Sequence, residues 1–285
     1  MKKIKILFAL TAVTISSIFT NQVLAQNVTP NQMVNIAGKQ RMLSQKIAKI
    51  YLMNAYGANL NSLKSELNIS KIIFERNLET LNKNSSKLFS ANVGKAVSKE
   101  RETWSSLKYI LSRPITENNV SKVLDISNQL LKNSHAVVVA IKNESFDTND
   151  FSTNTQLLNI IDISGKQRML SQRLCLYFVA KKFALKNKTK SLRNDTALYA
   201  VYNELDEELI NLLNSEANTL EVEEAIGNTM LTFENLRANK DNFLDGTASL
   251  NVVYNTTNRL TKDFDKLTSK YSELKVEDGS FISAR

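Results

Sequence analysis

Residues 38–45 read Gly-Lys-Gln-Arg-Met-Leu-Ser-Gln, and residues 165–172 read the same eight in the same order. The flanks agree in type. Asn35-Ile36-Ala37 precedes the first copy and Asp162-Ile163-Ser164 the second; Lys46-Ile47 follows the first and Arg173-Leu174 the second. An octapeptide repeated in register 127 residues later does not arise by chance in a chain of 285. The chain therefore reads as a tandem duplication, with one motif opening each half.

Each motif lies in a long stretch without helix breakers. The whole chain holds only seven glycines and two prolines. Sandwiches and barrels need many turns built on Gly and Pro, and dinucleotide or P-loop folds need clustered glycines. Both are excluded, and long helices with few loops remain. Apolar periodicity predicts helices over 31–56, 60–90, 93–112 and 117–144 in the first half. It predicts 154–186, 190–214, 217–244 and 248–274 in the second. Pro114 stops the third, and residues 146–152 (FDTNDFS) form a polar linker. Strand signals are absent, and the tail after Lys275 is expected to fray. The expected fold is all-α: two tandem antiparallel four-helix bundles related by pseudo-two-fold symmetry.

The first 25 residues have the pattern of a secretory signal. Lys2, Lys3 and Lys5 lead into an apolar run from Ile6 to Phe19, and Val23-Leu24-Ala25 supplies small residues at a cleavage site. The run is shorter than the roughly 20 residues that span a bilayer. The expected domains are then 1–25 as signal peptide, 26–149 as the first bundle and 150–285 as the second. The product is periplasmic or otherwise secreted, without stable membrane insertion after cleavage. Net charge falls from +9 to +6 once the three leader lysines are set aside. No Lys/Arg block interleaved with aromatics speaks for nucleic acid, whereas a mildly basic balance favours anionic ligands. Cys175 is the lone cysteine, so no intrachain disulfide is possible.

On a helical wheel, Ile36, Leu43, Ile47 and Ile50 form one stripe, within about 40° of each other's mean. Gly38, Arg41, Gln45, Ala48 and Leu52 form an opposite face. Gly165, Arg168, Gln172, Cys175 and Val179 form the matching face of the second copy. This second face mixes small and apolar residues with one Arg and one Gln, unlike a solvated surface. A glycine inside a helix costs about 1 kcal/mol relative to alanine, so its repetition implies close approach of another backbone. The two motif helices are expected to pack on one another through this face, in the manner of an isologous dimer.

That packing brings Arg41 beside Arg168. Two guanidiniums about 6 Å apart repel by roughly 3 kcal/mol at an effective dielectric of 20. A small oxyanion between them removes the penalty and accepts from both planar forks. Gly38 and Gly165 would line such a site, and Gln45 and Gln172 would add donors. The competing reading is packing alone, with each arginine paired to a carboxylate. Lys39, Lys46 and Lys166 fall on the flank as solvated residues, and Met42 and Met169 as packing residues.

The segment Asn35–Lys46 resembles the signature of the periplasmic sensor domain of nitrate/nitrite sensor histidine kinases. It is similar also to the N-terminal domain of type IV pilus methyl-accepting chemotaxis transducers. Ile163–Arg173 matches equally well. The resemblance implies a four-helix bundle that pairs through its first helix. It also implies nitrate bound at that interface by one arginine from each copy, here Arg41 and Arg168, with Gly38 and Gly165 lining the site.

Catalytic and metal chemistry find no support. His135 is the one histidine, so a Cys/His metal centre is out. His135 reads as a helix-surface or boundary residue and Cys175 as a small buried one. The expectation is a non-enzymatic, cofactor-free sensor-like protein for nitrate or nitrite, signalling through a membrane receptor, sensor kinase or transporter. The alternative is a structural or interaction module of the cell envelope with no small ligand.

Overall fold

The computed structural model describes residues 28–146, 155–188, 192–277 and 280–283. The expected signal peptide, most of the expected linker and the boundary between the two expected domains lie outside these residues.

The first helix, α1 (Pro30–Tyr56), starts where local chemistry dictates. Thr29 Oγ1 accepts from the Gln32 amide, and the Gln32 side chain accepts in return from the Thr29 amide. This capping box occupies two otherwise orphaned donors, and Pro30 needs no donor at the first turn. Gly57 ends the helix with φ of +83°, a left-handed conformation natural to glycine. Three further helices follow: α2 (Leu63–Leu88), α3 (Ala91–Leu111) and α4 (Glu117–Phe146). Each packs on the next, and α4 closes back on α1. Short connections make consecutive helices antiparallel. The centre is filled by residues such as Phe74 stacked on Trp104 at 4.4 Å between centroids.

The second set is α5 (Thr155–Lys186), α6 (Leu192–Leu213), α7 (Leu220–Arg237), α8 (Lys240–Asp245) and α9 (Leu250–Glu273). Here α6 and α9 pack against α5, and α7 packs against α9. The expected continuous helix over 217–244 is broken at Ala238-Asn239. Phe233 and Phe243 are ten positions apart and would lie about 80° apart around one straight helix. The break lets both reach Tyr202, at 5.7 and 6.1 Å, while Phe243 also stacks on Phe178 at 5.3 Å.

The most extensive helix–helix packing is between α1 and α5. Both are buried on nearly every side, including the polar Gln40, Ser44, Gln45, Gln167, Ser171 and Gln172. Of the expected core stripe, Leu43, Ile47 and Ile50 are fully buried; so are Ala48 and Leu52 of the opposite face. Two-sided burial follows from position, because each helix lines its own bundle and faces the other.

The tail does not fray as expected. β1 (Leu274–Glu277) pairs antiparallel with β2 (Ser280–Ser283), in the register Leu274↔Ser283 to Glu277↔Ser280. The intervening dipeptide, Asp278-Gly279, is a strong hairpin signal, and Val276, Phe281 and Ile282 suit a strand. Apart from this hairpin the regular elements among the described residues are helices, and none of these helices is long and apolar enough to cross a membrane.

Candidate functional site

The helices α1 and α5 run parallel and in the register of the sequence repeat. Gly38 and Gly165 share the same two guanidinium neighbours, Arg173 Nη1 reaches Gln45 Oε1 at 3.5 Å, and Lys186 Nζ donates to the Tyr56 carbonyl at 2.8 Å. These meeting points advance together from the N-terminal to the C-terminal end of both helices.

Arg41 and Arg168 converge at this seam. A Cβ built on Gly38 would lie 3.0 Å from Arg168 Nη2 and 3.5 Å from Arg41 Nη2. On Gly165 the same distances are 3.1 and 3.4 Å. The glycines therefore make room for guanidinium tips, not for a neighbouring backbone. The two arginines also exchange equivalent bonds. Arg41 Nη2 donates to the Asp162 carbonyl at 3.2 Å, and Arg168 Nη2 donates to the Asn35 carbonyl at 3.3 Å. Asn35 and Asp162 are the matching positions in the motif flanks. Arg side chains lean toward the N-terminus of their helix, which carries each across to the preceding turns of the other.

Both arginines are buried, Arg168 completely, and each has a carboxylate. Arg41 Nη2 lies 2.8 Å from Asp162 Oδ1, and Arg168 Nη1 lies 2.6 Å from Asp265 Oδ1 of α9. Lys142 adds a second cation to Asp162 at 2.9 Å, and Lys39 adds one to Asp265 at 3.3 Å. These acids relieve the guanidinium repulsion without an external anion. Burial opposes ionisation of Asp162, but Arg41 and Lys142 outweigh it and hold the carboxyl below its ordinary range. Asp265 is likewise held down, by Arg168 and Lys39 against the effect of burial. Burial, opposed by Asp265 and reinforced by Arg41, pushes the Arg168 pKa down.

His135 of α4 joins the cluster, its Nδ1 3.3 Å from Arg41 Nη1. An arginine can only donate, so Nδ1 accepts and the ring proton sits on Nε2. Burial and then the Arg41 charge push this histidine below its usual pKa, which keeps it neutral. On both arginines, Nε is buried without an acceptor among the described residues. The Nε–Nη2 edge is the fork that binds oxyanions in bidentate fashion.

The two glutamines are not brought to the guanidiniums by their hydrogen bonds. Gln45 Nε2 donates to the Ser127 carbonyl of α4 at 3.2 Å. Gln172 Nε2 donates to Asn258 and Thr261 of α9 at 3.1 and 2.6 Å. The flank lysines also differ from free solvated residues: Lys39, Lys46 and Lys166 pair with Asp265, Glu66 and Glu204. Sequence reasoning missed Asp162, Asp265 and His135. Asp162 carried a visible signal, as the acidic member of the Asn35/Asp162 pair beside the repeat. Asp265 and His135 carried none.

Residues 22–130 match the family model for the type IV pili methyl-accepting chemotaxis transducer N-terminal domain, PilJ. The match includes the first motif and Arg41. It is the sensory end of a signalling transducer that this stretch resembles. No curated protein and no solved structure matches the chain.

Proposed function

We propose that this protein is a sensory module of the cell envelope, exported by its first 25 residues, that binds a small oxyanion at the α1–α5 seam and signals through a partner. Nitrate and nitrite are the favoured ligands. The carrying observation is the convergence of Arg41 Nη2 and Arg168 Nη2 over Gly38 and Gly165, each arginine keeping a buried Nε without an acceptor. In this reading the oxyanion accepts from the free Nε donors of both arginines, while Asp162 holds Arg41 through Nη2 and Asp265 holds Arg168 through Nη1. Residues 26–149 and 150–285 act as two sensor-like bundles joined about a pseudo-two-fold axis, and the module carries no catalytic activity. The PilJ match supports a signalling role, with a receptor, sensor kinase or transporter as the receiving partner.

Isothermal titration of the protein with nitrate, nitrite, chloride and sulfate tests this reading. Saturable binding of nitrate or nitrite is expected, and its loss in the Arg41→Ala, Arg168→Ala double variant. Absence of binding, or binding indifferent to both substitutions, refutes it.

A second reading rests on the same ion pairs. Arg41 and Arg168 already have carboxylate partners, as a packing role for a structural or interaction module requires. Truncating either arginine strands its carboxylate in both readings, so the titration separates them: the structural reading expects no saturable anion binding.

A further inference from the structure

Beside the arginine pair, α4, α5 and α6 border an open cleft of about 470 Å³. Small-molecule sites span roughly 300–1,000 Å³. One part of its lining is apolar: Leu131 from α4, Met169 and Leu170 from α5, and Ala197, Ala200 and Val201 from α6. Lys132 and Arg173 supply positive charge.

Arg173 is held in place without being neutralised. Its Nη2 donates to the Tyr177 hydroxyl at 2.6 Å, and its guanidinium lies 5.0 Å from the Tyr177 ring centroid. Among the described residues no carboxylate lies within ion-pair distance of Arg173 or Lys132. The single acid of the cleft, Glu204, is bound to Lys166 at 2.7 Å. The equivalent place in the first motif is different. Lys46, the counterpart of Arg173, has its own carboxylate in Glu66 at 3.0 Å. The second motif thus presents a positioned cation and an apolar wall, with no internal anion to match.

We propose that this cleft binds an amphipathic monocarboxylate. Arg173, with Lys132, takes the carboxylate, and an aliphatic or aromatic body lies on Met169, Leu170 and Val201. Arg41 also borders the cleft, so occupancy here bears on the arginine seam. The site does not depend on an oxyanion being bound at that seam.

The test is isothermal titration of the full chain with octanoate and phenylacetate, and with phenylacetamide as the uncharged control. Saturable binding of at least one carboxylate is expected, with phenylacetamide much weaker. Arg173→Gln should weaken carboxylate binding by roughly tenfold or more, the loss of one charge-assisted hydrogen bond. Ala200→Trp fills the cleft from an exposed helix position, so it should block binding while helicity by circular dichroism stays unchanged. It therefore decides the matter even if Arg173→Gln fails to fold. No saturable binding of either carboxylate, equal binding of phenylacetamide, or unaltered binding in Ala200→Trp overturns the proposal. Each outcome holds whether or not nitrate binds.

Discussion

Gly38 and Gly227 both sit inside helices, where glycine costs about 1 kcal/mol relative to alanine, yet their surroundings are opposite. A Cβ on Gly227 meets nothing within 4 Å, whereas one on Gly38 meets Arg168 Nη2 at 3.0 Å. Arg168 cannot easily give way, because Asp265 and the Asn35 carbonyl hold it. Gly227→Ala should therefore stabilise the protein by roughly 0.5–1 kcal/mol, and Gly38→Ala should destabilise it. Urea unfolding of the two variants checks both signs. Glu100 offers a second residue-level test. It is fully buried on α3, and burial, only partly opposed by the Ser134 hydroxyl, raises its pKa to about 7. Between pH 4.5 and 7 the folded protein keeps a proton that the unfolded chain releases. Stability contributed by this group is thus complete at low pH and is lost as pH rises through about 7. The stability of Glu100→Gln relative to the parent should increase by up to roughly 3 kcal/mol from pH 4 to pH 8. Denaturation at the two pH values measures it, and an unchanged difference would contradict the assignment.

At the scale of elements, the start of α1 is written locally in Thr29, Pro30 and Gln32. Thr29→Ala removes the cap and should cost about 1 kcal/mol, seen as a lower thermal midpoint. The helical pattern was legible for the same kind of reason: caps, Pro114 and apolar spacing are all local. The break between α7 and α8 was not, because Ala238-Asn239 contains neither Gly nor Pro. It is the aromatic cluster around Tyr202 that bends the chain there, a tertiary cause. The β1–β2 hairpin shows the converse case, since Asp278-Gly279 announced it and the helical context hid it. The motif glycines and arginines were legible because they recur. Asp265 was not, since its pairing with Arg168 spans 97 residues and belongs to an unremarkable face of α9. Without that acid in view, an external anion and an internal carboxylate stood as equal ways to reconcile two guanidiniums.

For the whole molecule, the decisive fact is that α1 and α5 are each buried on two sides. Neither half can lose its partner without exposing the face that carries Arg41 or Arg168, along with buried Gln and Ser side chains. The two helical sets should consequently unfold together. Scanning calorimetry is expected to give one transition, with matching calorimetric and van't Hoff enthalpies; two resolved peaks would show that the seam is not cohesive. The reciprocal arginine bonds add a mechanical property. Arg41 reaches back to the Asp162 carbonyl and Arg168 to the Asn35 carbonyl, on helices that run the same way. Moving α5 along α1 in either direction slackens one tether and draws the other taut. The pair works like opposed springs that centre the two helices, so anything that loosens a single arginine gives the displacement a direction.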